Sequence, residues 1–99
     1  MNSNKALSML GMAARAGKTV SGEFSVEKAV KQGSALLVLL AEDASDNTKK
    51  KFNDMCSYRD IPCLLAADKE TLGRAIGKEY RACVAVEDEN FAKVISGHL

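Results

Sequence analysis

The stretch GKTVSGEFSVEKAVK, residues 17–31, decides how this chain is read. Thr19, Val20 and Ser21 are β-branched or small and suit a strand. Gly22 relieves the backbone at the corner, after which Val26, Ala29 and Val30 recur at i, i+3 and i+4 and give one apolar helical face. Glu27, Lys28 and Lys31 fall on the opposite face. The segment therefore predicts strand, glycine turn and amphipathic helix in immediate succession. A helix that starts at a glycine turn leaves its first N–H groups free and carries the positive end of the helix dipole, which favours phosphate or an electronegative base edge. The same pattern is also the ordinary βα unit, so function needs a second segment beside it.

Upstream, Ala6, Leu7, Met9, Leu10, Ala13 and Ala14 mark one face of a helix from Asn2 to Ala16, with Asn2, Ser3 or Asn4 as its cap and Gly17 as its stop. Downstream, Gly33 ends the second helix and the continuous apolar run Ala35–Ala41, ALLVLLA, predicts a strand buried on both faces, hence the central one. Ser45 or Asp46 caps a helix through Asn47–Tyr58, with Thr48, Phe52, Met55 and Cys56 on its inner face and the Lys49–Lys51 run in water. Ile61–Ala66 predicts a short strand, with Pro62 at its start as a proline near an edge or strand entry allows. Asp68 caps a brief helix ending at Gly77, Arg81–Val86 predicts a further strand, and Glu89–Ile95 a last helix. Alternation from end to end implies one domain, an α/β/α three-layer sandwich around a small mixed sheet of about four strands.

Composition narrows the function. At 99 residues, with 46% hydrophobic and 27% charged side chains, the chain has the makeup of a folded domain with a single core. A net charge of +1 cannot recruit nucleic acid in bulk, so RNA binding must come from local cations. Five of them stand against two carboxylates in residues 1–41, and nine against eleven in the remainder. Cys56, Cys63 and Cys83 have neither a disulfide nor a zinc spacing, and reduced thiols in a cytoplasmic protein are expected. The N-terminus lacks the apolar core of a signal peptide, and no run approaches the ~20 residues of a membrane span.

Enzymatic chemistry finds no support. Gly17-Lys18-Thr19 has neither the spacing from Gly11 nor the strand-to-helix context of a phosphate-binding P-loop. The single histidine, His98, is penultimate, which leaves a nucleophile without a positioned base. Glu42 with Asp43, and Glu87–Glu89, read as solvated acidic edges of the sheet. Phe24, Tyr58 and Tyr80 are the aromatics free to stack a base, Phe52 and Phe91 lying on apolar helix faces.

The second segment is LGRAIGKEYRAC, residues 72–83, in which two glycines flank a short helix and lead to Lys78, Tyr80 and Arg81 before the last strand. Five pieces then stand in order along nearly the whole chain: Gly17, Lys18, Val20 and Gly22; Lys28, Ala29, Val30 and Gly33; LLVLLAEDAS at 36–45; IPC at 61–63; and Leu72, Gly73, Ala75 and Gly77. With these the chain resembles the family of small ribosomal and kink-turn RNA-binding proteins typified by ribosomal proteins L-seven-Ae and L-thirty-e, a bacterial ribosomal-protein-like member most of all. The resemblance implies a non-enzymatic protein that grips a kinked RNA, ribosomal RNA among the targets, through the turn and first helical turn after the first strand. Lys18, Gly22 and Lys28 match positions that approach the RNA, and Lys78–Ala82, with Tyr80 and Arg81, matches the loop that caps a flipped-out nucleotide. Where the family carries Thr-Asn-Glu after the glycine, this chain has Glu23, Phe24 and Ser25, which puts a phenyl ring in place of an amide and a carboxylate at the helix start. Glu23 suits the helix dipole but would repel a nearby phosphate. Lys31 completes the expected contact set. A monomer without cofactor, metal or small-molecule substrate is expected. The alternative is a protein-interaction module of the same fold, with Phe24 as its exposed anchor.

Overall fold

Why the apolar run at 35–41 becomes an interior strand is visible in where its side chains go. The structure is a computed structural model describing residues 4–99, so the candidate caps Asn2 and Ser3 lie outside the described residues. Its elements are α1 (Asn4–Arg15), β1 (Thr19–Ser21), α2 (Glu23–Lys31), β2 (Leu37–Leu40), α3 (Asp46–Tyr58), β3 (Cys63–Leu65), α4 (Lys69–Ala75), β4 (Cys83–Val86) and α5 (Glu89–Gly97). Along β2, Leu37 and Leu39 pack on one face with α1, α4 and α5, while Val38 and Leu40 pack on the other with α2 and α3. The result is the expected three-layer α/β/α sandwich.

The sheet has the order β1-β4-β2-β3, with β2 and β3 parallel and β4 antiparallel to both of its neighbours. Two strands are interior, not the single central strand that hydropathy alone suggests. Cys83–Val86 is as fully buried as Leu37–Leu40, but its small Cys and Ala side chains give a weaker apolar signal. Strands β2, β3 and β4 are also shorter than the sequence predicts, because pairing partners and not hydropathy set their ends. Leu36 still donates to Val86 and Ala41 to Ala82, but Ala35 turns back to Ala29. Arg81 leaves the sheet altogether: its N–H donates to the Lys69 carbonyl of α4 at 3.1 Å.

Helices close both faces, and side chains fix the starts of three of them, α3, α4 and α5. Ser45 Oγ, Asp68 Oδ1 and Asp88 Oδ2 accept from the N–H of Thr48, Thr71 and Phe91 at 3.1, 2.7 and 2.9 Å, caps that contribute about 1 kcal/mol each. Ser45, not Asp46, is thus the cap of α3. Phe52 is completely buried beneath α3 and Phe91 is partly buried against the opposite core, as their helical faces predict. No helix among the described residues is long and apolar enough to cross a membrane.

One glycine fixes the loop that precedes β4. A Cβ on Gly73 would stand 1.3 Å from the Glu79 carbonyl oxygen and 2.5 Å from its carbon, both backbone atoms. The absence of a side chain lets residues 78–81 lie flat on α4, tied there by Lys78 N–H to Gly73 O at 2.8 Å and by Arg81 N–H to Lys69 O. Gly73→Ala must therefore push the loop off the helix. It is expected to lower stability by about 1–3 kcal/mol, read as a reduced urea midpoint, with amide shifts concentrated in residues 78–82. An unchanged midpoint would show that the loop does not need this contact.

Candidate nucleic-acid interface

The β1–β4 register, Ser21 opposite Val84, brings the end of β1 beside the start of β4. Gly22 continues that ladder by donating its N–H to Cys83 O at 3.1 Å, and then turns at φ 89° and ψ 153°. A side chain is strained at such a φ, which is why glycine stands here. The turn serves as the N-cap of α2 with no side chain closing it, in contrast to α3, α4 and α5. The first helical bond is Val26 N–H to Gly22 O at 2.9 Å, and among the described residues the N–H groups of Glu23, Phe24 and Ser25 have no acceptor. Beside these donors Phe24 stands 81% exposed, and Ser25 is half-buried.

The loop at 78–82 meets this turn from the other side. Arg81 Nε donates to Ser21 Oγ at 3.0 Å and its Nη1 to the Tyr80 carbonyl at 2.8 Å. Tyr80 is 66% exposed, Lys78 is exposed and Ala82 is half-buried. The structure thus joins the two segments singled out from the sequence at one rim of the sheet. Two grooves flank the junction. One of about 430 Å³ runs along Phe24, Glu27, Lys28, Lys31 and Gln32. The other, of about 350 Å³, is lined by Glu70, Arg74, Lys78, Glu79 and Tyr80.

The charges sort less simply than their sequence positions. Lys28, Lys78 and Arg81 form no ion pair among the described residues. Lys31 is committed to Glu27 at 2.8 Å. Lys18 stands at the opposite end of β1, where its carbonyl accepts from the N–H of Glu87 at 2.8 Å, on the order of 13 Å of extended chain from Gly22. Glu23 is not an open carboxylate: its Oε2 accepts from the Thr48 hydroxyl at 3.0 Å, and Lys51 lies 4.0 Å from its Oε1. Helix α3 therefore supplies this carboxylate with a hydroxyl donor and a nearby cation. Burial, with the Glu23 carboxylate beside it, pushes the Cys83 thiol up to about 12, so no further negative charge forms at the rim near neutral pH.

Glu27 is the hinge of this arrangement, gripped by Lys31 and Lys51, each at 2.8 Å. Since Glu23 meets Thr48 and Glu27 meets Lys51, α2 and α3 run side by side in the same direction. Thr48 and Lys51 were not legible as site residues. They are separated from their partners by some two dozen positions, and no periodicity spans that distance.

The sequence pattern of the ribosomal protein L7Ae/L30e/S12e/Gadd45 family matches residues 4–96. The chain belongs to this family. Among curated relatives, RNA-binding protein YlxQ of Bacillus subtilis (strain 168) is 52% identical over 89 residues, 89% of either chain. RNA-binding protein YlxQ of Enterococcus faecium is 38% identical over 92 residues, covering 93% of this chain and 88% of its own. Of solved structures, a Bacillus halodurans C protein of unknown function superposes with a TM-score of 0.91 at 43% identity over 94% of both chains. The 15.5 kD RNA-binding protein of Giardia lamblia shares the fold, with a TM-score of 0.79 at 22% identity over 92% of this chain and 78% of its own.

In this L7Ae-family chain the lysine pair around Glu27 gives a titration that can be checked. Hydrogen bonds from Lys31 and then Lys51 hold its carboxyl down from the usual 4.5 to about 2. A carboxyl depressed in the folded state stabilises above its unfolded value, and that contribution is lost as pH falls through about 2. The pair is solvent-exposed, so the stability change is small; the carboxyl resonance is the sharper readout. Its NMR midpoint should lie near 2 and move toward the usual value in Lys31→Ala and Lys51→Ala. A midpoint already near 4.5 would remove the proposed link between α2 and α3.

Proposed function

We propose that the protein is a non-enzymatic RNA-binding protein that recognises a kink-turn or similarly bent, structured RNA in the cytoplasm, ribosomal RNA being the first target to test. One observation carries this: the uncapped start of α2 and the 78–82 loop meet at a single rim, joined by Gly22 N–H to Cys83 O and by Arg81 Nε to Ser21 Oγ. Among the described residues the first amides of α2 have no acceptor and the cations Lys28, Lys78 and Arg81 no ion-pair partner, and with the dipole of α2 they suit the phosphates that a sharp bend crowds together. The exposed rings of Phe24 and Tyr80 suit an unstacked base. The names of the YlxQ relatives and the family match support RNA as the ligand class.

Within this reading Gly22, Glu23, Phe24, Ser25 and Lys28 form the half of the interface on α2, and Lys78, Tyr80, Arg81 and Ala82 the other. Glu23 stands at the helix start with its carboxylate in contact with Thr48 and Lys51 of α3. Lys31, held by Glu27, and Lys18, at the far end of β1, stand at the margin and meet only RNA that extends beyond the bend. The three cysteines are free, which fits a reducing compartment.

The test is a titration of a kink-turn RNA against a matched straight duplex at several salt concentrations. Preference for the kinked form is expected. Lys28→Ala should weaken it roughly tenfold and lower the salt slope by about one, while Phe24→Ala should cost about 1–3 kcal/mol if a base stacks on the ring. Equal or absent binding of both RNAs, with Phe24→Ala breaking a protein complex instead, would turn the assignment to a protein-interaction module.

A further inference from the structure

We infer that Ser21, which lies outside the interface residues named above, is the positioning residue for Arg81, and that Arg81 so held is the phosphate clamp at the junction of the two halves. The inference rests on the RNA-binding reading above. Arg81 carries the side-chain hydrogen bond that joins the loop to β1. Its backbone N–H is tied to α4 through Lys69 O, its Nη1 to the Tyr80 carbonyl within its own loop, and its Nε to Ser21 Oγ on β1, the residue immediately before the Gly22 turn.

The chemistry follows from which donors are spent. A guanidinium is a rigid planar fork, and fixing Nε together with one N–H on Nη1 fixes the plane of the whole group. The remaining N–H groups stay open, and no carboxylate among the described residues pairs with them. An arginine fixed in this way presents a preformed bidentate face to a phosphate, with little side-chain entropy left to lose on binding. Lysine in its place carries the same charge but cannot bond Ser21 and present a second donor edge to phosphate in one plane. Ser21 is half-buried on an edge strand, and the described residues give its hydroxyl one partner, Arg81. A role in holding the core together is thus small.

The test is a double-mutant cycle on RNA affinity with Ser21→Ala, Arg81→Ala and the pair, alongside Ser21→Thr and Arg81→Lys. Ser21→Ala should weaken binding of the bent RNA about tenfold with its thermal midpoint unchanged. Ser21→Thr, which keeps the hydroxyl, should restore affinity, Arg81→Lys should not, and Ser21→Ala should have no further effect once Arg81 is alanine. In the free protein the Arg81 Nε–H should exchange slowly with water and lose that protection in Ser21→Ala. Wild-type affinity in Ser21→Ala, effects that simply add in the double variant, or an unprotected Nε–H would overturn the assignment while leaving the RNA-binding reading intact. Failure of the wild-type chain to prefer bent RNA would instead sink both.

Discussion

A four-residue strand paired on both sides governs this molecule. Cys83–Val86 is antiparallel to β1 along one edge and to β2 along the other, and every side chain in it is buried. Because antiparallel partners end where the other begins, the turn that closes β1 and the loop that opens β4 have to be neighbours. Gly22 N–H to Cys83 O is the last rung of that ladder. The rim is therefore a by-product of strand register, and the cations on it inherit their positions from the core.

Glycine acts twice in this design, in different ways. At position 22 it supplies a backbone angle that frees the head of α2, and at position 73 it supplies empty space in which the following loop can lie. The first use exposes donors and the second brings Arg81 up to them. Around both, charge is managed by α3. Thr48 has a nearly buried hydroxyl that accepts from Ser45 and donates to Glu23. Lys51 then divides itself between Glu23 and Glu27. The carboxylate that opens α2 in this way meets polar partners on the neighbouring helix.

The layer order, the number of strands, the cap Asp68 and the choice of Ser45 or Asp46 at the start of α3 could be read from hydrophobic period and turn chemistry, because those signals are local. The span Thr19–Ser21 emerged with correct limits since Gly17 and Gly22 bracket it. Arg81, by contrast, sits in a run that looks extended, and only the pull of Lys69 O removes it from the sheet. The second interior strand was hidden for a related reason: alanine and cysteine are small enough to fit between two layers without announcing burial. At the site, the family likeness and the sequence together named both segments. The Lys31–Glu27 pair follows the i,i+4 rule within α2, but the Lys51–Glu27 pair was not legible, because Lys51 finds its partner across a helix–helix contact that no spacing rule encodes.

Both margins of the sheet, β1 and β3, are three residues long, and Pro62 immediately precedes one of them. So short a row of open amides and carbonyls is a poor template for a second chain to zip onto, and the proline removes a donor where zipping would begin. The fold can thus keep its polar margins bare beside a long flexible polymer without inviting the cross-β stacking that longer bare margins nucleate.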